Sequence, residues 1–192
     1  MRTLYPDIEP FHTGTLKVDD RHELYYEQCG NPQGKPVVLL HGGPGAGCSP
    51  KMRRFHDPAK YRIVLFDQRG SGRSNPLGSI ENHTLTNLIS DLEALRRHLF
   101  VEQWHIFGGS WVCTLGLSYA QTYPARCLGM ILRGIFLLEQ EQIDWFLYGI
   151  RMIFPEAWDQ FAAIIPAAEQ KDLLGAYYKR LTSGDKKTEI DA

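Results

Sequence analysis

No stretch of this chain is apolar for the roughly 20 residues that a membrane-spanning helix requires. The longest candidate, Leu128 to Leu138, is interrupted by Arg133. The amino-terminal segment from Met1 to Gly14 carries Asp7 and Glu9 and has no apolar run of signal-peptide length, so a cytoplasmic chain is expected. The four cysteines, Cys29, Cys48, Cys113 and Cys127, form no C-x-x-C pair and have no histidines at zinc-finger spacing. That pattern argues against a disulfide framework and a structural metal, and for reduced, mostly buried thiols. Neither sign of charge dominates: 21 basic and 22 acidic residues are interspersed and leave a net charge of -1. No basic stripe is present to suit a nucleic acid or an anionic membrane, which leaves a small molecule or a peptide as the expected partner.

What is there is the material of one ordinary core, with 43% hydrophobic and 22% charged residues in 192. Thr15 to Gln28 alternates and is rich in β-formers, with Asp19-Asp20-Arg21-His22 placed as a turn, and predicts a hairpin. Val37 to Leu40 and Ile63 to Phe66 are short, continuously apolar runs that end in glycine-rich loops, the pattern of strands buried on both faces of a parallel sheet. Leu85, Leu88, Ile89, Leu92, Leu95 and Leu99 recur at three- and four-residue intervals behind Thr84, which predicts an amphipathic helix with a threonine N-cap. Trp104 to Phe107 predicts a strand, the stretch up to Tyr123 a helix that Pro124 ends, and Leu128 to Leu132 a further strand. The β-α-β-α-β order implies a doubly wound, mostly parallel α/β sheet. Beyond Gly134 the segments Glu139 to Met152, Pro155 to Ile164 and Lys171 to Leu181 are aromatic-rich and helical. The expected division is therefore a core over residues 1–134 and the beginning of a helical cap over 135–192.

Chemistry concentrates in the loops that follow the apolar strands. In Gly108-Gly109-Ser110-Trp111-Val112 a serine stands between a strand and a helix, where a sharp turn would expose its hydroxyl at the carboxyl edge of the sheet. Ser110 is the candidate nucleophile, although Val112 occupies the position where a second small residue is expected. His41-Gly42-Gly43-Pro44-Gly45 follows the first apolar strand and can aim a backbone N–H at a developing oxyanion, so Gly43 and Trp111 are the candidate donors. His41 itself is read as a structural histidine that fixes the loop. Asp67 to Ser74 is too polar for core and too glycine-rich for helix, and reads as a structural loop beside the active site. Neither glycine-rich loop has the spacing of a phosphate-binding loop.

The motifs H-G-G-P-G, D-Q-R-G-S-G-R-S and G-G-S-W, in this order and spacing, resemble those of the prolyl aminopeptidase (proline iminopeptidase) family of serine peptidases. The likeness runs from Tyr5 to about Thr182 and includes Ile143-Asp144-Trp145-Phe146 and Phe154-Pro155-Glu156-Ala157-Trp158. It implies the α/β-hydrolase fold and the release of an N-terminal proline from peptides. It further implies Ser110 as nucleophile, Gly43 and Trp111 as the oxyanion hole, and no metal or cofactor. Phe136 and Phe146 fall where the family places part of the apolar wall of its proline pocket, and packing of cap against core is the alternative reading for both.

One part of such a site is missing from these residues. All seven histidines, the last being His105, precede Ser110, whereas in this fold the catalytic histidine follows the nucleophile. The aspartates after Ser110 are Asp144, Asp159, Asp172, Asp185 and Asp191, all in the helical region. The expectation is a chain that ends before its catalytic acid and base, is nearly inactive alone, and leaves an incomplete sheet prone to self-association or to complementation by a C-terminal segment. The alternatives are a non-catalytic fragment, one half of a two-chain enzyme, or an esterase on the same fold.

Overall fold

The computed structural model describes residues 4–192. They form two compact units, one up to Leu137 and one from Leu138 to Ala192.

The first unit is built on six strands. β1 (His12–Lys17) and β2 (Glu23–Gly30) form the expected antiparallel hairpin, with Leu16 paired to Leu24. β3 (Lys35–Leu39), β4 (Tyr61–Phe66), α1 (Leu85–His98), β5 (Trp104–Ser110), α2 (Val112–Thr122) and β6 (Cys127–Ile135) follow in chain order. Across the sheet the order is β1-β2-β4-β3-β5-β6. β3 pairs in parallel with both β4 and β5, and β5 with β6, while β2 runs antiparallel to β4.

Apolar side chains explain the layering. Val37, Val38, Leu39, Ile63, Val64, Leu65 and Phe66 are almost completely buried, as the continuous apolar runs require. Val38, Val64, Phe66 and Ile106 face one core with Leu88, Leu92 and Leu95 of α1 and Val112, Leu115 and Tyr119 of α2. Each fully buried leucine contributes about 1.5–3 kcal/mol relative to exposure. Val37, Leu39, Ile63 and Leu65 point to the opposite face, beside Cys29, Met52 and Phe55. Thr84 caps α1 as expected, its hydroxyl accepting from the Asn87 N–H at 3.2 Å. All four cysteines are free thiols.

Two strand boundaries differ from the sequence reading, for a local reason. β6 runs on through Arg133 to Ile135, because Gly109 and Ser110 at the end of β5 still offer it partners across a bulge. β3 ends one residue early, although the Leu40 N–H still donates to the Phe107 carbonyl at 2.9 Å.

The second unit holds α3 (Gln140–Leu147), α4 (Pro155–Ala163), α5 (Leu173–Leu181) and α6 (Lys186–Asp191). The helical stretch expected up to Met152 breaks at Tyr148, after which Gly149–Met152 forms a tighter 3-10 turn. Ile165, Leu173 and Ala176 form its small core with Tyr148, Trp158 and Tyr177. Phe146, Ile150, Phe154, Ala157, Trp158 and Phe161 line an apolar cavity of about 250 Å³ within this unit. Among the described residues no helix is long and apolar enough to cross a membrane.

Candidate active site

Three parallel strands carry their following loops to one edge of the sheet. At the end of β5, Ser110 adopts φ +65°, a left-handed conformation that an ordinary side chain pays strain to occupy. Trp111 returns at once to helical geometry (φ -43°, ψ -39°) and opens α2. This strand-turn-helix lifts the Ser110 side chain out of the sheet and leaves it exposed. The Trp111 N–H stands ahead of the first helical turn, where no intrahelical carbonyl can reach it, and is available to an oxyanion.

The elbow is tight beneath the serine. A Cβ on Gly108 would lie 2.5 Å from Cγ2 of Val112 and 3.5 Å from Cβ of Leu40, so only glycine fits there. Val112 is completely buried. The branched residue that the sequence marked as a departure thus fills the space left by the missing Gly108 side chain, and the elbow is packed around it.

The loop after β3 lies against the nucleophile. A Cβ on Gly42 would stand 3.8 Å from Cβ of Ser110 and 3.5 Å from the Gly109 carbonyl. Gly43 follows with φ +118° and would collide with the Gly45 nitrogen if it carried a side chain. Glycine is obligatory there on both counts.

His41 is buried and structural, as the sequence implied. Its Nε2 accepts from the Gln68 N–H at 2.9 Å, which puts the proton of a neutral ring on Nδ1, 3.0 Å from the Gly42 carbonyl that can receive it and 3.2 Å from the Gly47 nitrogen. Burial holds its pKa below the ordinary imidazole value, against the opposing pull of the Gly42 carbonyl and the Asp67 charge. Both of its ring nitrogens face backbone groups of the surrounding loops.

The loop after β4 knits these parts together. The fully buried Asp67 carboxylate accepts from the Cys48 N–H at 2.6 Å, the Arg73 N–H at 2.9 Å and Arg73 Nε at 2.8 Å. Burial alone would raise its pKa, but the Arg73 guanidinium and the two amides outweigh it and keep the carboxyl ionised below the usual value. Arg69 clasps the buried Asp91 of α1 through two bonds of 2.6 and 2.7 Å and reaches Asp19 in the β1–β2 turn at 3.1 Å. Arg53 binds Glu27 in the same two-pronged way, at 2.7 and 3.1 Å.

Of the residues picked from the sequence, Ser110, Trp111 and the Gly42-Gly43 turn come together. Phe136 follows β6 in the first unit, half-buried, with its carbonyl accepting from the Thr114 hydroxyl at 2.9 Å. Phe146 lies in the second unit, 65% exposed, on the rim of the apolar cavity there. Two residues escaped the sequence reading. From the sequence, Gln68 reads only as part of a structural loop. Arg133 packs over Gly109, where an added Cβ would meet its Cγ at 2.7 Å and its Cζ at 3.2 Å. The signal for Arg133 was a single charge within an otherwise uncharged strand.

A family model described as alpha/beta hydrolase fold matches residues 35–189. The chain belongs to the alpha/beta hydrolase fold family. Over its whole length it is 56% identical to a proline iminopeptidase of Xylella fastidiosa, covering 62% of that protein. Over 96% of its length it is 53% identical to a proline iminopeptidase of Arabidopsis thaliana, covering 49% of it. The chain therefore spans about three-fifths or less of the length of these relatives. Among solved structures, a proline iminopeptidase of Mycobacterium smegmatis superposes with a TM-score of 0.64 at 19% identity, with 94% of this chain and 65% of that one covered. An epoxide hydrolase mutant of Vigna radiata superposes at 0.58 and 21% identity, with 94% and 56% covered. At those identities the likeness is one of fold.

Two outcomes follow from the elbow and its loop. Gly108→Ala should destabilise the chain by about 1–3 kcal/mol through its clash with Val112. Gly108→Ala combined with Val112→Ala should cost less than the two single changes summed, a coupling that urea titration of the four proteins in the cycle would measure. Because His41 is held below the ordinary value of 6.5, its neutral form contributes stability in full above that pH and loses it as pH falls through the folded-state value. The thermal midpoint should therefore drop as the pH is lowered below 6.5, less steeply in His41→Gln, as scanning calorimetry across that range would record.

Proposed function

We propose that this chain contributes the nucleophile and the oxyanion hole of a serine peptidase of the prolyl aminopeptidase type, acting in the cytoplasm on peptides with an N-terminal proline. The observation that carries the reading is Ser110 at φ +65° on a strand-to-helix turn, with the Gly42-Gly43 loop against it. The three motifs and the 53–56% identity to proline iminopeptidases support the choice of substrate.

The Ser110 hydroxyl oxygen attacks the carbonyl carbon of the proline residue while a general base takes its proton, and the Gly43 and Trp111 N–H groups hold the resulting oxyanion. Collapse expels the shortened peptide as an amine that receives that proton, leaving a prolyl ester on Ser110. Water, deprotonated by the same base, then releases free proline and restores the hydroxyl. Phe136, in the same unit as Ser110, would supply apolar contact for the pyrrolidine ring. Among these 192 residues no histidine follows Ser110, so the base and its acid partner are assigned to sequence outside them. Without the base, the oxyanion hole and binding remain, and the rate should be close to background.

A second reading, one half of a two-chain enzyme, is favoured by β6. It is the last strand of the sheet, with one neighbour, and it exposes Leu128, Met130, Ile131 and Ile135. An apolar strand with a free edge recruits another strand, from a second copy or from a complementing segment.

The purified 192-residue chain should hydrolyse a chromogenic proline amide no faster than its Ser110→Ala variant. A clear Ser110-dependent rate would show that a base is already in place. In sedimentation velocity the chain should self-associate with rising concentration, and Ile131→Lys should shift it toward monomer. A wild-type chain that stays monomeric throughout would remove the support for an open edge.

A further inference from the structure

We propose that Gln68 is a positioning residue that sets the separation of the two oxyanion donors, a role that rests on the reading of Ser110 as nucleophile. Gly43 and Trp111 lie on different loops, 68 positions apart in the chain, and a shared oxyanion needs both N–H groups held about 3 Å from it. Gln68 bonds to both of those loops, and it does so from a buried position. Its Nε2 donates to the His41 carbonyl at 2.9 Å, two residues before Gly43. Its Oε1 accepts from the Trp111 indole Nε1 at 3.5 Å. Its main-chain N–H donates to His41 Nε2.

The amide is held in one orientation because its two ends face partners of opposite kind. A carbonyl oxygen on one side requires the NH2, and an indole N–H on the other requires the oxygen. Turned over, the group would set oxygen against oxygen and donor against donor. No other side chain of similar length satisfies both: glutamate would present oxygen to the His41 carbonyl, and methionine would leave a buried carbonyl and a buried indole N–H unpaired. The far end of the His41 loop is pinned separately, by the Cys48 N–H on Asp67. Loss of Gln68 should therefore free the near end of the loop, at Gly42 and Gly43, while the sheet stays folded.

Hydrogen exchange followed by mass spectrometry tests this on the chain as it stands. In Gln68→Met, peptides covering residues 40–48 and 108–116 should exchange at least about tenfold faster, with residues 12–30 unchanged. Trp111→Phe, which removes the indole donor and keeps an aromatic ring, should accelerate 108–116 while the bond from Gln68 to the His41 carbonyl keeps 40–48 slow, and wild-type rates in 108–116 would overturn the role of that donor. Wild-type rates in both loops of Gln68→Met would overturn the proposal. So would acceleration spread equally through 12–30, which marks a general loss of stability. The measurement needs no turnover, so a Ser110 that stays inert even when a base and acid are supplied in trans would refute the peptidase reading and leave this result standing.

Discussion

Three parallel strands bring the ends of their backbones to one edge of a sheet, where the polar groups of His41, Asp67 and Gln68 are buried. Each must find a partner inside the protein or cost about 1–3 kcal/mol. The architecture of the site follows from that demand. Asp67 takes up the Cys48 and Arg73 amides, His41 takes up the Gln68 amide, and the Gln68 side chain takes up the His41 carbonyl. The Gly42-Gly43 turn lies beside the exposed Ser110, and Trp111 follows it directly in the chain.

The arginines extend the same logic outward. Arg69 and Arg53 each meet a buried carboxylate with two bonds, a geometry that lysine cannot reproduce. Such pairs add little net stability over a well-packed apolar substitute, yet breaking one leaves a charge stranded at a cost of several kcal/mol. They fix where the loop after β4 lies relative to α1 and to the first hairpin. The strained φ of Ser110 persists because these surroundings, together with Val112 packed on Gly108, leave the elbow no relaxed alternative.

Local signals in the sequence carried far. The hairpin, the apolar central strands, the Thr84 cap and the serine on its elbow were legible because each depends on neighbours within a few residues. The placement of β3 between β4 and β5 was not, since it rests on pairings of strands far apart in the chain. The fit of Val112 was not legible for a related reason: spacing marks a departure from a small residue, whereas the space that Val112 fills is set by the facing Gly108. Gln68 stayed hidden because its partners lie 27 and 43 residues away. In the second unit the helical character of the segments up to Leu181 was legible, but neither the tight turn at Gly149 nor α6 was.

The amide of Gln68 also has a consequence for descent. A side chain read at both ends by different loops cannot drift alone, because any replacement must be answered at His41 and at Trp111 together. On this proposal a change in one of the three motifs has to be answered in the other two, although the chain carries them as separate segments.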